Sequence, residues 1–252
     1  MAGIPLSDDY PVRRIPVATY LLIAANVLVY LLSPMSLIAV WYGGDLLDRL
    51  CAVDVYIHRW GALPVELLGG GQVAPPSECP GADYAKTPWT SAVTSMFLHG
   101  GVAHLLGNMV YLFVFGPVVE DRLGRLRYLA LYLLCGVVSV YAFALTDPAG
   151  QSPLVGASGA ISAVLGAYLV VQFRSRVITL VVVFPVRLPG WALVGTYFVL
   201  QYVLYISMPP STGGEGSVAY AAHVYGFIAG VLGGLLIHRV RWRSGTRLSD
   251  LY

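Results

Sequence analysis

The chain has 252 residues, 57% of them apolar and only 11% charged, with a mean hydropathy of +0.72. Its apolar residues lie in runs too long for a soluble core, which makes it a polytopic membrane protein. A net charge of +2 with dispersed basic residues excludes a nucleic-acid surface, and three cysteines without a C-x-x-C exclude zinc-ribbon or thioredoxin chemistry.

Residues 1–15 are polar, end in Arg13-Arg14 and are expected to be a cytoplasmic tail. The first span is expected from about Val17 to Val40, with Pro34 shortening or kinking it. The run outlasts a signal-peptide core and lacks a small-residue cleavage site, so it reads as a retained helix. A long external loop, about residues 42–95, follows and carries Gly69-Gly70-Gly71, Pro75-Pro76, Cys51 and Cys79. Its amphipathic pieces Asp45–Val55 and Trp60–Leu68 suit the membrane interface. A bridge between Cys51 and Cys79 and two unpaired thiols are equally compatible with the sequence. Cys135, within the third span, reads as an inert packing residue.

Further spans are expected at Val102–Val119, Tyr128–Leu145, Ser158–Phe173, Gly190–Ser207 and Ala219–His238. Val177–Phe184 is apolar but too short to cross, and reads as an interfacial segment. In this six-span arrangement one side holds Arg13, Arg14, Arg122, Arg125, Arg127, Arg174, Arg176, Arg187, Arg239, Arg241, Arg243 and Arg247. The other side holds Arg49, Arg59 and Lys86. That bias puts both termini in the cytoplasm of a cell-membrane protein, with residues 16–239 as the membrane domain and 240–252 as a second tail.

Ser158 lies sixteen residues before Arg174, and His223 sixteen before Arg239. Both therefore sit roughly 24 Å above the inner boundary of a ~30 Å hydrocarbon core. His104 and Asn108, eighteen and fourteen residues before Arg122, bracket that height at roughly 27 and 21 Å. Gly159, Ala163 and Gly166 on one helix and Gly226 and Gly230 on another make small-residue faces for close packing. Those faces bring Ser158 and His223 together, so that imidazole can act as general base to the hydroxyl. No Asp or Glu falls within the expected spans, so the pair reads as a Ser–His dyad without a third member.

Met96-Phe97-Leu98-His99-Gly100-Gly101, then His104, Gly107-Asn108, Gly116 and Val119-Glu120-Asp121-Arg122-Leu123-Gly124, resembles the rhomboid intramembrane serine proteases. Gly156-Ala157-Ser158-Gly159 and Ala222-His223-x-x-Gly226-x-x-x-Gly230 resemble the family's other two motifs, in order, across about Trp89–Ile237. The resemblance implies an all-α, six-helix bundle of rhomboid type with a long membrane-embedded first loop. It implies Ser158 as nucleophile, His223 as base, and His104, Asn108 and the Ser158 N–H as oxyanion donors, with His99, Gly156, Gly159 and Gly226 in support. It further implies transmembrane protein substrates within a lipid bilayer, no cofactor and no metal; homo-oligomerisation stays open. Three positions depart from the family pattern. Ser162 stands where a ring often stacks on the histidine, Tyr225 where a small residue is common, and Thr90 where arginine often follows Trp89. Competing classes are a catalytically inactive rhomboid-fold protein that binds membrane clients, which would lose Ser158 or His223, and a transporter, which would carry intramembrane acids. H-E-x-x-H zinc and aspartyl mechanisms lack their residues.

Overall fold

A computed structural model describes residues 3–36, 38–42, 45–73, 79, 84–208 and 219–243, the last four of these by backbone alone. Six apolar helices dominate it. Four are long enough to cross a membrane: α5 (Val102–Leu123), α6 (Arg125–Thr146), α8 (Gly190–Ser207) and α9 (Tyr220–Arg243, apolar to Arg239). Two are shorter: α1 (Val17–Leu32) and α7 (Ser158–Gln172). The expected helical membrane bundle is therefore the fold. Helix α1 stops eight residues before the expected Val40, because Ser33-Pro34 leaves the helix and the Ser33 hydroxyl caps the carbonyl of Tyr30.

The core of the bundle is α7. Ten of its residues from Gly159 to Tyr168 are buried on all sides, against α5, α6 and especially α9. Contact between α7 and α9 is close enough to exclude side chains. A Cβ on Gly226 would lie 2.2 Å from the Gly159 carbonyl oxygen, and one on Gly230 would lie 1.9 Å from that of Ala163. The small-residue faces thus act as the sequence suggests, by bringing two backbones into contact.

The long loop expected to be external forms α2 (Leu46–Trp60), α3 (Pro64–Gly69) and α4 (Pro88–Thr94). Cys51 and Cys79 are joined by a disulfide, which resolves the alternative left open by the sequence. Lys86 is not a solvated cation: its ammonium is buried against Glu66 and also donates to the carbonyls of His58 (2.7 Å) and Gly61 (2.9 Å). Burial pushes its pKa down, and Glu66 partly offsets that push. The loop is stitched to the segment before α7 by a bridge of two backbone bonds, Ala62 N–H to Leu154 O (3.0 Å) and Leu154 N–H to Ala62 O (2.8 Å).

The opposite end departs from the expectation of a polar tail and an interfacial segment. Ile4–Asp8 is strand β1, and Val177–Phe184 belongs to a hairpin of β2 (Arg176–Val181) and β3 (Phe184–Pro189), in the order β1-β2-β3. Pro5, Pro185 and Pro189 all lie on the two outer strands, where a missing N–H costs no ladder bond. Helix α9 runs into the expected C-terminal tail as far as Arg243, and residues 244–252 lie outside the described residues.

The expectation that no acid lies in a span also needs correction. Helix α5 continues through Glu120 and Asp121, and Glu120 is buried. Its carboxylate accepts from the N–H groups of Ala18 (3.0 Å) and Thr19 (2.7 Å) and from the Thr19 hydroxyl (2.8 Å). It thereby caps α1, whose own N-cap, Pro16, offers no side-chain acceptor. An acid used this way, at a helix end, is structural glue and not a transport site.

Candidate active site

Ser158 is the first residue of α7, preceded by the loop Gly156-Ala157. Gly156 has φ +128°, a region that disfavours any residue with a side chain. It must also be bare for a second reason: a Cβ there would lie 2.8 and 2.9 Å from Cε1 and Nε2 of His104, and 3.6 Å from Ser158 Oγ. The loop is held by Gly156 N–H donating to the carbonyl of Ser95 at 2.9 Å. The Ser158 hydroxyl is therefore presented at a helix N-terminus, where unpaired N–H groups and the positive dipole end favour an oxyanion.

His223 reaches this hydroxyl from the first turn of α9. Its Nε2 lies 2.7 Å from Ser158 Oγ, a contact between residues 65 apart in sequence. The backbone just before it is fixed by Ser139 of α6, whose hydroxyl donates to the Ala222 carbonyl at 2.7 Å. The same Ser139 fills the space that a side chain on Gly159 would need. His223 is buried, whereas Ser158 keeps partial access.

His104 and Asn108 lie one turn apart on α5 and so share a face. The His104 ring rests against Gly156 and accepts from Gly100 N–H through Nδ1 at 3.4 Å. Asn108 is buried, and its amide Nδ2 has no hydrogen-bond partner among the described residues. A buried donor left without an acceptor is chemically suited to a developing anion. His99 is buried edge-on against His104, with ring centroids 5.1 Å apart. Burial, then the neighbouring His104, lowers its pKa to about 4, so it is neutral at ordinary pH.

Of the residues singled out in the sequence, Ser158, His223, His104, Gly156, Gly159 and Gly226 meet directly or through one shared neighbour. His99 stands behind His104, and Asn108 one turn below it. The expectation of an isolated pair is incomplete, however. Gln201 of α8 places its Oε1 2.7 Å from His223 Nδ1. A search for Asp or Glu could not find it; the available signal was a lone amide in the middle of an apolar helix. Two of the three departures from the family pattern also find partners. The Ser162 hydroxyl bonds Tyr197 Oη of α8 at 2.9 Å, and Tyr225 meets Tyr205 of α8, at 6.2 Å between centroids, instead of crowding α7.

Apolar helices, four of them long enough to span, with a serine and a histidine in contact between two helices of the bundle, define the class: a multi-pass helical membrane protein with a Ser–His contact in its interior. Residues 86–240 match the family model described as the Rhomboid domain, more than half of the chain, and the chain belongs to the rhomboid family. It is 38% identical over 95 residues to YdcA of Bacillus subtilis, covering 37% of this chain and 47% of that one. It is 32% identical over 145 residues to RHOMBOID-like protein 5 of Arabidopsis thaliana, covering 58% and 43% respectively. It is 38% identical over 92 residues to Rhomboid protease GluP of Bacillus subtilis, covering 36% and 18%. The chain spans less than half the length of each of these relatives.

Proposed function

We propose that this protein is an intramembrane serine endopeptidase that cleaves single-span membrane proteins near the outer end of their transmembrane helix. The observation that carries the proposal is the 2.7 Å contact between Ser158 Oγ and His223 Nε2 inside an apolar bundle. Family membership and a relative named as a protease support it.

In the proposed reaction the Ser158 hydroxyl gives its proton to His223 Nε2 as Oγ attacks the substrate carbonyl carbon. The resulting oxyanion is stabilised by Asn108 Nδ2, His104 and the Ser158 N–H. Collapse breaks the C–N bond, and the protonated His223 returns its proton to the leaving amine. Water, activated by the same imidazole, then releases the acyl group from Ser158. This acid–base sequence calls for no cofactor.

The substrate must arrive unwound. A peptide carbonyl at this depth is normally bonded to the N–H four residues on and is screened by side chains. Glycine, proline or β-branched residues near the cut favour unwinding, and the bare wall at Gly156 favours a small residue before it. The arginine distribution supports cytoplasmic termini and release of the substrate's outer part.

Purified protein and Ser158→Ala, incubated with a panel of single-span substrates, test this with product termini mapped by mass spectrometry. Cuts clustered near the outer end with the native protein and none with the variant are expected. Equal cleavage by both, or cuts in the cytoplasmic half of the substrate helix, overturns it.

A further inference from the structure

His223 is held at both ring nitrogens, by Ser158 Oγ at Nε2 and by Gln201 Oε1 at Nδ1, each at 2.7 Å. A neutral imidazole has one N–H, and the position of that proton decides what the other nitrogen can do. An amide oxygen only accepts, so the contact at Nδ1 requires the proton there. Nε2 then keeps its lone pair and faces the serine hydroxyl. Only this tautomer can take the serine proton.

We propose that Gln201 is a positioning residue of the proteolytic site, fixing the tautomer and ring plane of His223 from a third helix. The inference rests on the proteolytic reading above and extends the pair to Ser158–His223–Gln201, drawn from α7, α9 and α8.

Among the described residues, the other groups around the imidazole do not do this. Tyr220 meets the ring edge-on at 6.3 Å between centroids, which restrains its tilt but selects no tautomer. Ser162, at the height where a stacking ring would serve, is engaged with Tyr197. Ser139 fixes the backbone at Ala222, not the ring. A neutral acceptor also suits the location, because a carboxylate at this depth carries a large desolvation cost. The same neutrality limits the effect: an amide oxygen steadies the imidazolium less than a carboxylate, so its loss should cost less than the ~10⁴-fold seen when a triad acid is replaced.

An amide can turn over, and this gives the proposal its sharpest test. With Nε2 of Gln201 toward His223, Nδ1 would become the acceptor, Nε2 of His223 would carry the proton, and Ser158 would have no base. Gln201→Glu has two oxygens and cannot present a donor while ionised; Gln201→Met keeps the volume and presents no strong acceptor.

The experiment measures kcat and KM on one single-span substrate for the native protein, Gln201→Met and Gln201→Glu, together with ¹⁵N NMR of the histidine side chains. The native protein is expected to show His223 protonated at Nδ1. Gln201→Met is expected to show mixed tautomers and a kcat lower by roughly 10- to 100-fold, with KM unchanged. Gln201→Glu should restore most of that kcat. A native His223 protonated at Nε2, or a folded Gln201→Met with native kcat and an unchanged tautomer, overturns the proposal. If Gln201→Met fails to fold, the native tautomer alone decides. Absence of cleavage by the native protein would sink the proteolytic reading instead, while the tautomer measurement would still judge the role of Gln201.

Discussion

At the scale of single residues, the site combines groups that are satisfied with groups that, among the described residues, are not. Gln201 and Ser158 occupy both nitrogens of His223, whereas Asn108 buries an amide with nothing to donate to. In the proposed reaction such a donor has its desolvation cost already met before substrate arrives, so it would favour the oxyanion more than the ground-state carbonyl. Asn108→Ala should therefore lower kcat by roughly 10²–10³ with KM little changed, measured on the same single-span substrate. His99 gives a different residue-level expectation. Its folded pKa of about 4 lies below the ordinary ~6.5, so the unfolded chain binds the extra proton between those values. Stability is thus kept above about pH 6.5 and falls as pH drops toward 4, by at most about 1.4 kcal/mol per pH unit from this group. Thermal unfolding between pH 7 and 4.5 should show that loss, and His99→Phe should show a smaller one.

At the scale of elements, the contact between α7 and α9 is set by backbone meeting backbone. Gly230→Ala would press a methyl into the Ala163 carbonyl, which cannot move without the whole of α7, so the helices must separate. Gly233 lies on the same helix, but a Cβ there meets side-chain atoms no closer than 3.4 Å. Gly233→Ala should be neutral or gain up to ~1 kcal/mol of helix propensity, while Gly230→Ala should lose roughly 1–3 kcal/mol and most activity. Thermal unfolding of the two variants side by side separates close packing from propensity. This contact was legible in the sequence, because small residues at helical spacing have one common use in membrane helices. The sheet was not, because Pro185 and Pro189 conceal the edge strand β3, and β1, which pairs with β2, lies more than 160 residues earlier. Nor was the cap on α1, whose acceptor Glu120 is about a hundred residues from the N–H groups it serves. Gln201 escaped for the same reason: its meaning comes from the approach of α8 to α9, which no local pattern encodes.

At the scale of the molecule, the lengths of the helices explain where the chemistry sits. Helix α7 has 15 residues and so covers only about 22 Å of a ~30 Å core; in the proposed orientation, with its C-terminus at the inner boundary, that leaves Ser158 below the outer surface. The loop of α2 to α4 lies at the serine's end of α7, tied by its disulfide, by the Lys86–Glu66 pair and by the Ala62–Leu154 bridge just before the serine. At the far end, β1 locks the bundle through Asp8 to Tyr168 and Ser175, and through Asp9 to Ser175 (2.8 Å) and Arg176 N–H (2.8 Å). The account stands or falls on Ser158 being a nucleophile made reactive by His223. The most direct measurement is mass-spectrometric mapping of the adduct after the folded protein meets a fluorophosphonate, with His223→Ala treated in parallel. The account predicts one adduct, on Ser158, which is lost in the variant. An unlabelled Ser158 in native protein that cleaves substrate, or equal labelling without His223, would contradict it.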